Sequence, residues 1–67
     1  MVPDLESLLS KAAAYQDAKK FHDAEATYRE ALQLEPSHSG ALHNLAVLSA
    51  RRGALEQAIE LFDRLIF

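Results

Sequence analysis

The side chains with the most evident capacity for chemistry are three histidines, His22, His38 and His43, because imidazole gains and loses a proton near neutrality. A general base needs its reacting partner within hydrogen-bond reach, and a metal needs three or four converging ligands. His38 and His43 are five residues apart with Ser39 and Gly40 between them, so they do not share a helical face as an i, i+4 pair would. No carboxylate stands in a metal-ligand arrangement with them. Asp17, Asp23, Glu25 and Glu30 supply acids, yet nothing in the sequence presses two of them into one apolar pocket, which is what splits a pair into acid and base. Ser7, Ser10, Ser37, Ser39 and Ser49 lack the strand-to-helix elbow that presents a nucleophilic hydroxyl. Gly40 and Gly53 are the only glycines, so there is no phosphate-cradling loop. The absence of cysteine removes thiolate metal sites and disulfides. Arg51-Arg52 reads as positive charge at the end of a helix, where the backbone dipole favours it. The chain is read as non-catalytic, with no metal and no other cofactor.

Composition narrows the partners. Seven Lys plus Arg against ten Asp plus Glu gives a net charge of −3 and a pI near 5.4. A mildly acidic chain without a basic tract is a poor match for nucleic acid or an anionic membrane surface. No apolar run approaches the roughly 20 residues that span a bilayer. Met1-Val2-Pro3-Asp4 lacks a basic start leading into an apolar stretch, so a cytoplasmic location is the expectation. The 67 residues make one small domain, 1–67. Such a chain buries little surface and is only marginally stable alone. Without disulfides or metal, association is the remaining reinforcement.

Punctuation and periodicity then supply the elements. Pro36 lies in Glu35-Pro36-Ser37-His38-Ser39-Gly40 and stops a helix, while Ser37 or Ser39 can cap the next one. Gly53 after Arg51-Arg52 ends another, and the break at Lys19-Lys20 carries no glycine. Between the breaks, apolar residues recur at steps of three and four: Leu5, Leu8, Leu9, Ala12, Tyr15; Phe21, Ala24, Tyr28, Ala31, Leu32; Leu42, Leu45, Ala46, Leu48; and Leu55, Ala58, Ile59, Phe62, Leu65, Ile66. Two Val, two Ile and one Thr leave little material for strands. The prediction is all-α, with helices over 4–18, 22–35, 39–52 and 55–67.

One offset aligns the chain with itself. Leu8 and Leu42, Ala12 and Ala46, and Ala24 and Ala58 stand 34 residues apart. Phe21 with Leu55, Tyr28 with Phe62 and Leu32 with Ile66 are similar pairs at the same spacing. Two helices per period of 34 resemble the tetratricopeptide repeat (TPR) family. The first unit, about 5–38, supplies Leu8, Ala12, Tyr15, Phe21, Ala24, Tyr28, Ala31 and Pro36 at the family's positions. The second, about 39–67, supplies Leu42, Leu45, Ala46, Gly53, Leu55, Ala58 and Phe62. The small residues let paired helices approach closely, and the aromatics fill the space between hairpins. Three positions depart from the pattern. Lys11 stands where the second unit has Leu45, Lys19 where it has Gly53, and Glu25 where it has Ile59. The first helix of an array has no preceding unit to pack on, which accommodates Lys11 but not Glu25.

The resemblance implies two stacked antiparallel helix hairpins, a short α-solenoid, acting as a protein–protein interaction scaffold or adaptor. Its first helices would line a groove for a protein or peptide partner. In this sequence the groove would present Leu9, Ala13 and Gln16, and then His43, Asn44, Val47, Ala50 and Arg51. Asn44 stands out because its amide can hold a peptide backbone from both its donor and its acceptor side. One subtype of the family clamps the acidic tail of heat-shock chaperones with Lys and Asn. Asn44 matches one clamp position, but Leu9 and Ala13 occupy the places of its Lys and Asn, so that clamp is rejected.

The second unit stops at Phe67, before a proline of its own and before a closing helix. A solenoid unit buries its outer face on the next unit. Here Leu55, Ile59, Phe62 and Ile66 share one stripe, with Leu65 and Phe67 beside it. Leaving large side chains in water forgoes about 1.5–3 kcal/mol each. Self-association through this helix, most simply as a homodimer, is therefore expected. The alternative is a purely structural or excised segment of a larger TPR-containing protein whose activity lies elsewhere.

Overall fold

In the computed structural model, which describes residues 4–66, the chain forms α1 (Leu5–Asp17), α2 (Phe21–Leu34), α3 (Ser39–Arg51) and α4 (Leu55–Ile66). Helices α1 and α2 pack as one hairpin, α3 and α4 as a second, and α2 lies against α3 to join them. The core follows the repeat positions. Ala12, Ala24, Ala31, Ala41 and Ala46 are fully enclosed, and Leu8, Tyr28, Leu42, Leu45 and Leu48 are nearly so. Alanine at the crossings allows the close backbone approach, and the leucines fill the space beside it.

The repeat is also visible in the backbone. After α1, Lys20 N–H reaches Tyr15 O at 2.8 Å and Lys19 N–H reaches Gln16 O at 3.0 Å. After α3, Ala54 N–H reaches Ser49 O at 2.8 Å and Gly53 N–H reaches Ala50 O at 3.1 Å. These are two copies of the Schellman turn, 34 residues apart. Each needs a left-handed residue: Gly53 has φ 84° and Lys19 has φ 63°. A side chain in that region costs about 1–2 kcal/mol. Lys19→Gly is therefore expected to stabilise the fold by about 1 kcal/mol, and Gly53→Ala to destabilise it by a similar amount. Thermal melts of the two variants check the opposite signs.

The caps differ in detail from the expectation. α3 is capped neither by Ser37 nor by Ser39 but by His38, whose Nδ1 accepts from Ala41 N–H at 3.0 Å. The ring folds back over the helix start, where a Cβ on Gly40 would stand 3.1 Å from its Cε1. α1 is capped by Asp4, whose Oδ1 accepts from Ser7 N–H at 2.7 Å. That hydrogen bond holds the Asp4 carboxyl below the ordinary 3.8. Its contribution to stability is present above that value and is lost as pH falls through the lowered one.

Glu25 is not a flaw in the junction between units. It is only 3% exposed, and Arg52 Nε donates to its two carboxylate oxygens at 2.9 and 3.0 Å. Arg29, one turn on, lies at 4.0 Å. Arg52 also donates through Nη2 to Gln57 at 2.8 Å. The second arginine of the Arg51-Arg52 pair thus ties α2 to the end of α3 and the start of α4, beyond the helix-end role expected of it.

Candidate interaction surfaces

The residues expected to line a groove meet different fates. On α1, Leu9 and Gln16 are half-buried and Ala13 is exposed. On α3, Asn44, Val47 and Ala50 are half-buried, and His43 and Arg51 are exposed. Gln16 and Asn44 come together at Tyr28, which the repeat spacing marks as a packing residue. Tyr28 is 2% exposed, and its hydroxyl donates to Gln16 Oε1 at 3.1 Å. The Asn44 amide bears on the same hydroxyl. A buried tyrosine needs a partner for its polar tip, and that requirement was the available signal.

Burial pushes the Tyr28 phenol above its ordinary 10.0. The Asn44 hydrogen bond pulls it down, and the nearby Asp17 charge adds to the rise. The folded chain thus holds this proton more tightly than the unfolded chain does. Stability is fully present below pH 10 and is lost as pH rises from there through the folded value. An alkaline titration is expected to show tyrosinate absorbance from Tyr28 appearing together with the loss of helical circular dichroism. Tyr28→Phe removes this dependence.

Two expected groove residues face other work. Arg51 places its guanidinium 5.0 Å from the centre of the Phe21 ring, a cation–π contact that holds it over the start of α2. His43 meets Phe62 edge-on, with ring centres 6.4 Å apart and planes at 70°, and so belongs to the α3–α4 hairpin. An open cleft of about 360 Å³ has Leu32, Leu45 and Leu61 as its apolar floor and Arg29, Glu60 and Arg64 on its rim. Arg64 donates to Pro36 O at 2.8 Å, fastening α4 to the turn between units. Among the described residues no group of three or more His, Asp or Glu is placed to hold a metal ion. No described helix is long and apolar enough to cross a membrane.

Helix α4 divides its apolar residues between two faces. Ala58 and Leu61 are buried, Phe62 and Leu65 are half-buried, and Leu55, Ile59 and Ile66 are 61%, 60% and 73% exposed. At about 100° per residue, Leu55, Ile59 and Ile66 cluster roughly 120–160° round from Leu61. Glu56, Glu60 and Asp63 continue on the solvent side of that cluster. Leu61, absent from the expected stripe, is buried together with Ala58 and joins the main core cluster; Phe67, expected beside the stripe, lies outside the described residues.

Two hairpins joined through α2 and α3, with matching turns at the interval of 34, define a repeat architecture. The family model described as tetratricopeptide repeat matches residues 9–67. The chain belongs to the tetratricopeptide repeat family. TPR units are generally non-catalytic and bind proteins. Over 42 residues this TPR chain is 50% identical to cellulose synthase operon protein C of Xanthomonas axonopodis pv. citri (strain 306), an alignment covering 63% of the chain and 3% of that protein. It therefore spans a small fraction of the relative's length. No solved structure matches it at a significant level.

Proposed function

We propose that this TPR pair is a scaffold or adaptor element without catalysis, which takes an extended peptide along α1 and α3 and associates through α4. The uncovered edge of Leu55, Ile59 and Ile66 carries the association reading. Burying three side chains of this size from water is worth roughly 1–2 kcal/mol each at their present exposure, against a total stability of a few kcal/mol. Cut off from any larger setting, the chain is expected to self-associate, most simply as a homodimer.

For the peptide surface, Asn44 and Gln16 are the polar anchors, set beside half-buried Leu9, Val47 and Ala50. Asn44→Ala is expected to weaken capture of a selected peptide about tenfold, the equivalent of a hydrogen-bonding contact worth about 1.4 kcal/mol. Fluorescence anisotropy against a peptide from a display library measures this, and an unchanged affinity removes Asn44 from the site. The short coverage of the relative favours a second reading, in which the pair is a structural segment of a longer array. The relative's name ties it to a cellulose synthase operon, so the products of such an operon are the first partners to try.

A further inference from the structure

Inside the molecule, the α2–α3 junction shows what covers the second helix of a unit. Glu25, Tyr28 and Leu32 of α2 are 3%, 2% and 9% exposed with α3 against them. Leu45 of α3 lines one cleft with Leu32, and Leu48 lines another with Phe21 and Glu25. The counterparts 34 residues later are Ile59, 60% exposed, Phe62, half-buried, and Ile66, 73% exposed. The same three positions are closed in one unit and open in the other. Their chemistry differs most at one of them. In α2 an enclosed carboxylate takes two hydrogen bonds from Arg52, at 2.9 and 3.0 Å. In α4 an isoleucine stands there and offers a guanidinium nothing.

We propose that the α4 edge is a docking site for a further α-helix, one that repeats the Ala41, Leu45 and Leu48 stripe of α3 but carries an apolar residue where α3 has Arg52. This rests on the reading of α4 as an association face and names its preferred occupant. An arginine brought against Ile59 would lose water there and find carboxylates only at the exposed border, at Glu56, Glu60 or Asp63, whereas an apolar residue brought against Glu25 would strand the acid. The residue at this repeat position therefore selects which helix stacks on which. A second copy of the chain is the poorer occupant, because its α1 offers Ser7 and Lys11 in the places of Ala41 and Leu45. The acidic border of Glu56, Glu60 and Asp63 further favours a helix whose stripe is flanked by basic residues.

The test extends the full chain at its C-terminal end with a copy of residues 34–54, supplying the linker, an α3 helix and its closing turn. One version keeps the native copy; the other carries Arg52→Leu within the appended copy only. Both extended chains are expected to melt above the parent and to lose its self-association, with the leucine version melting several degrees above the arginine version. Ile59→Glu in the host helix is expected to reverse that order. Equal midpoints for the two versions, or no reversal, overturn the proposal. So does association undiminished by the appended helix, which would assign the edge to a second copy. A parent chain that is monomeric throughout removes the self-association reading alone, since the order of the two midpoints still decides the selectivity.

Discussion

Arg52→Leu is expected to lower the free energy of unfolding by about 2–3 kcal/mol, the range for losing a hydrogen-bonded partner of a charged group. The fully buried case runs to about 3–5 kcal/mol, but the Arg52 side chain is 48% exposed, and water screens part of the interaction. The loss falls on Glu25, whose side chain is only 4% exposed and whose other cation, Arg29, stands at 4.0 Å. The reverse truncation is milder. After Glu25→Leu, Arg52 keeps Gln57 at 2.8 Å and can turn to solvent, so a cost below about 1 kcal/mol is expected. Glu25→Leu with Arg52→Leu should return close to the parent, because an apolar pair of similar size neither strands a charge nor desolvates one. Urea titration of the four proteins measures the series. Equal losses from the two single variants would contradict the asymmetric burial. In a domain this small, the arginine variant should be substantially unfolded before denaturant is added.

The second large effect separates folding from association on α4. Ile59→Lys with Ile66→Lys is expected to abolish self-association while leaving helix content intact in dilute solution, because the two side chains are 60% and 73% exposed in the single chain. Leu61→Ala, roughly 120–160° round the helix from that edge, should do the opposite. Leu61 is 8% exposed and part of the core, so its truncation costs about 2–5 kcal/mol and unfolds the chain at any concentration. Phe62, half-buried and touching His43, serves both roles. Phe62→Asp with Ile66→Asp should therefore damage folding and association together. Circular dichroism and light scattering on the same samples distinguish the three outcomes.

The helices were legible because apolar spacing, Pro36 and Gly53 are local signals, and the observed bounds fall within one residue of the expected ones at every described end. The interval of 34 was legible because packing demands similar residues at similar places. What escaped the sequence were contacts made by long or polar side chains. Glu25 and Arg52 are 27 residues apart, and no periodicity announces that their charges will meet. His38 caps α3 through a ring nitrogen, where the two neighbouring serines had the better propensity. The spacing that starts from Leu55 and Ile59 leaves Leu61 off the stripe, whereas α3 packs on the flank nearer Leu61. Of the residues expected to line a groove, Gln16 and Asn44 meet at the Tyr28 hydroxyl, and the aromatic rings of Phe21 and Phe62 engage Arg51 and His43.

The most direct measurement is sedimentation equilibrium of the unmodified chain across the micromolar range. The expected result is a mass that rises with concentration above the 7.4 kDa of one chain, and that returns to it for Ile59→Lys with Ile66→Lys. A constant 7.4 kDa, together with cooperative unfolding of that lone chain, would contradict the proposal that the outer edge of α4 is an association face.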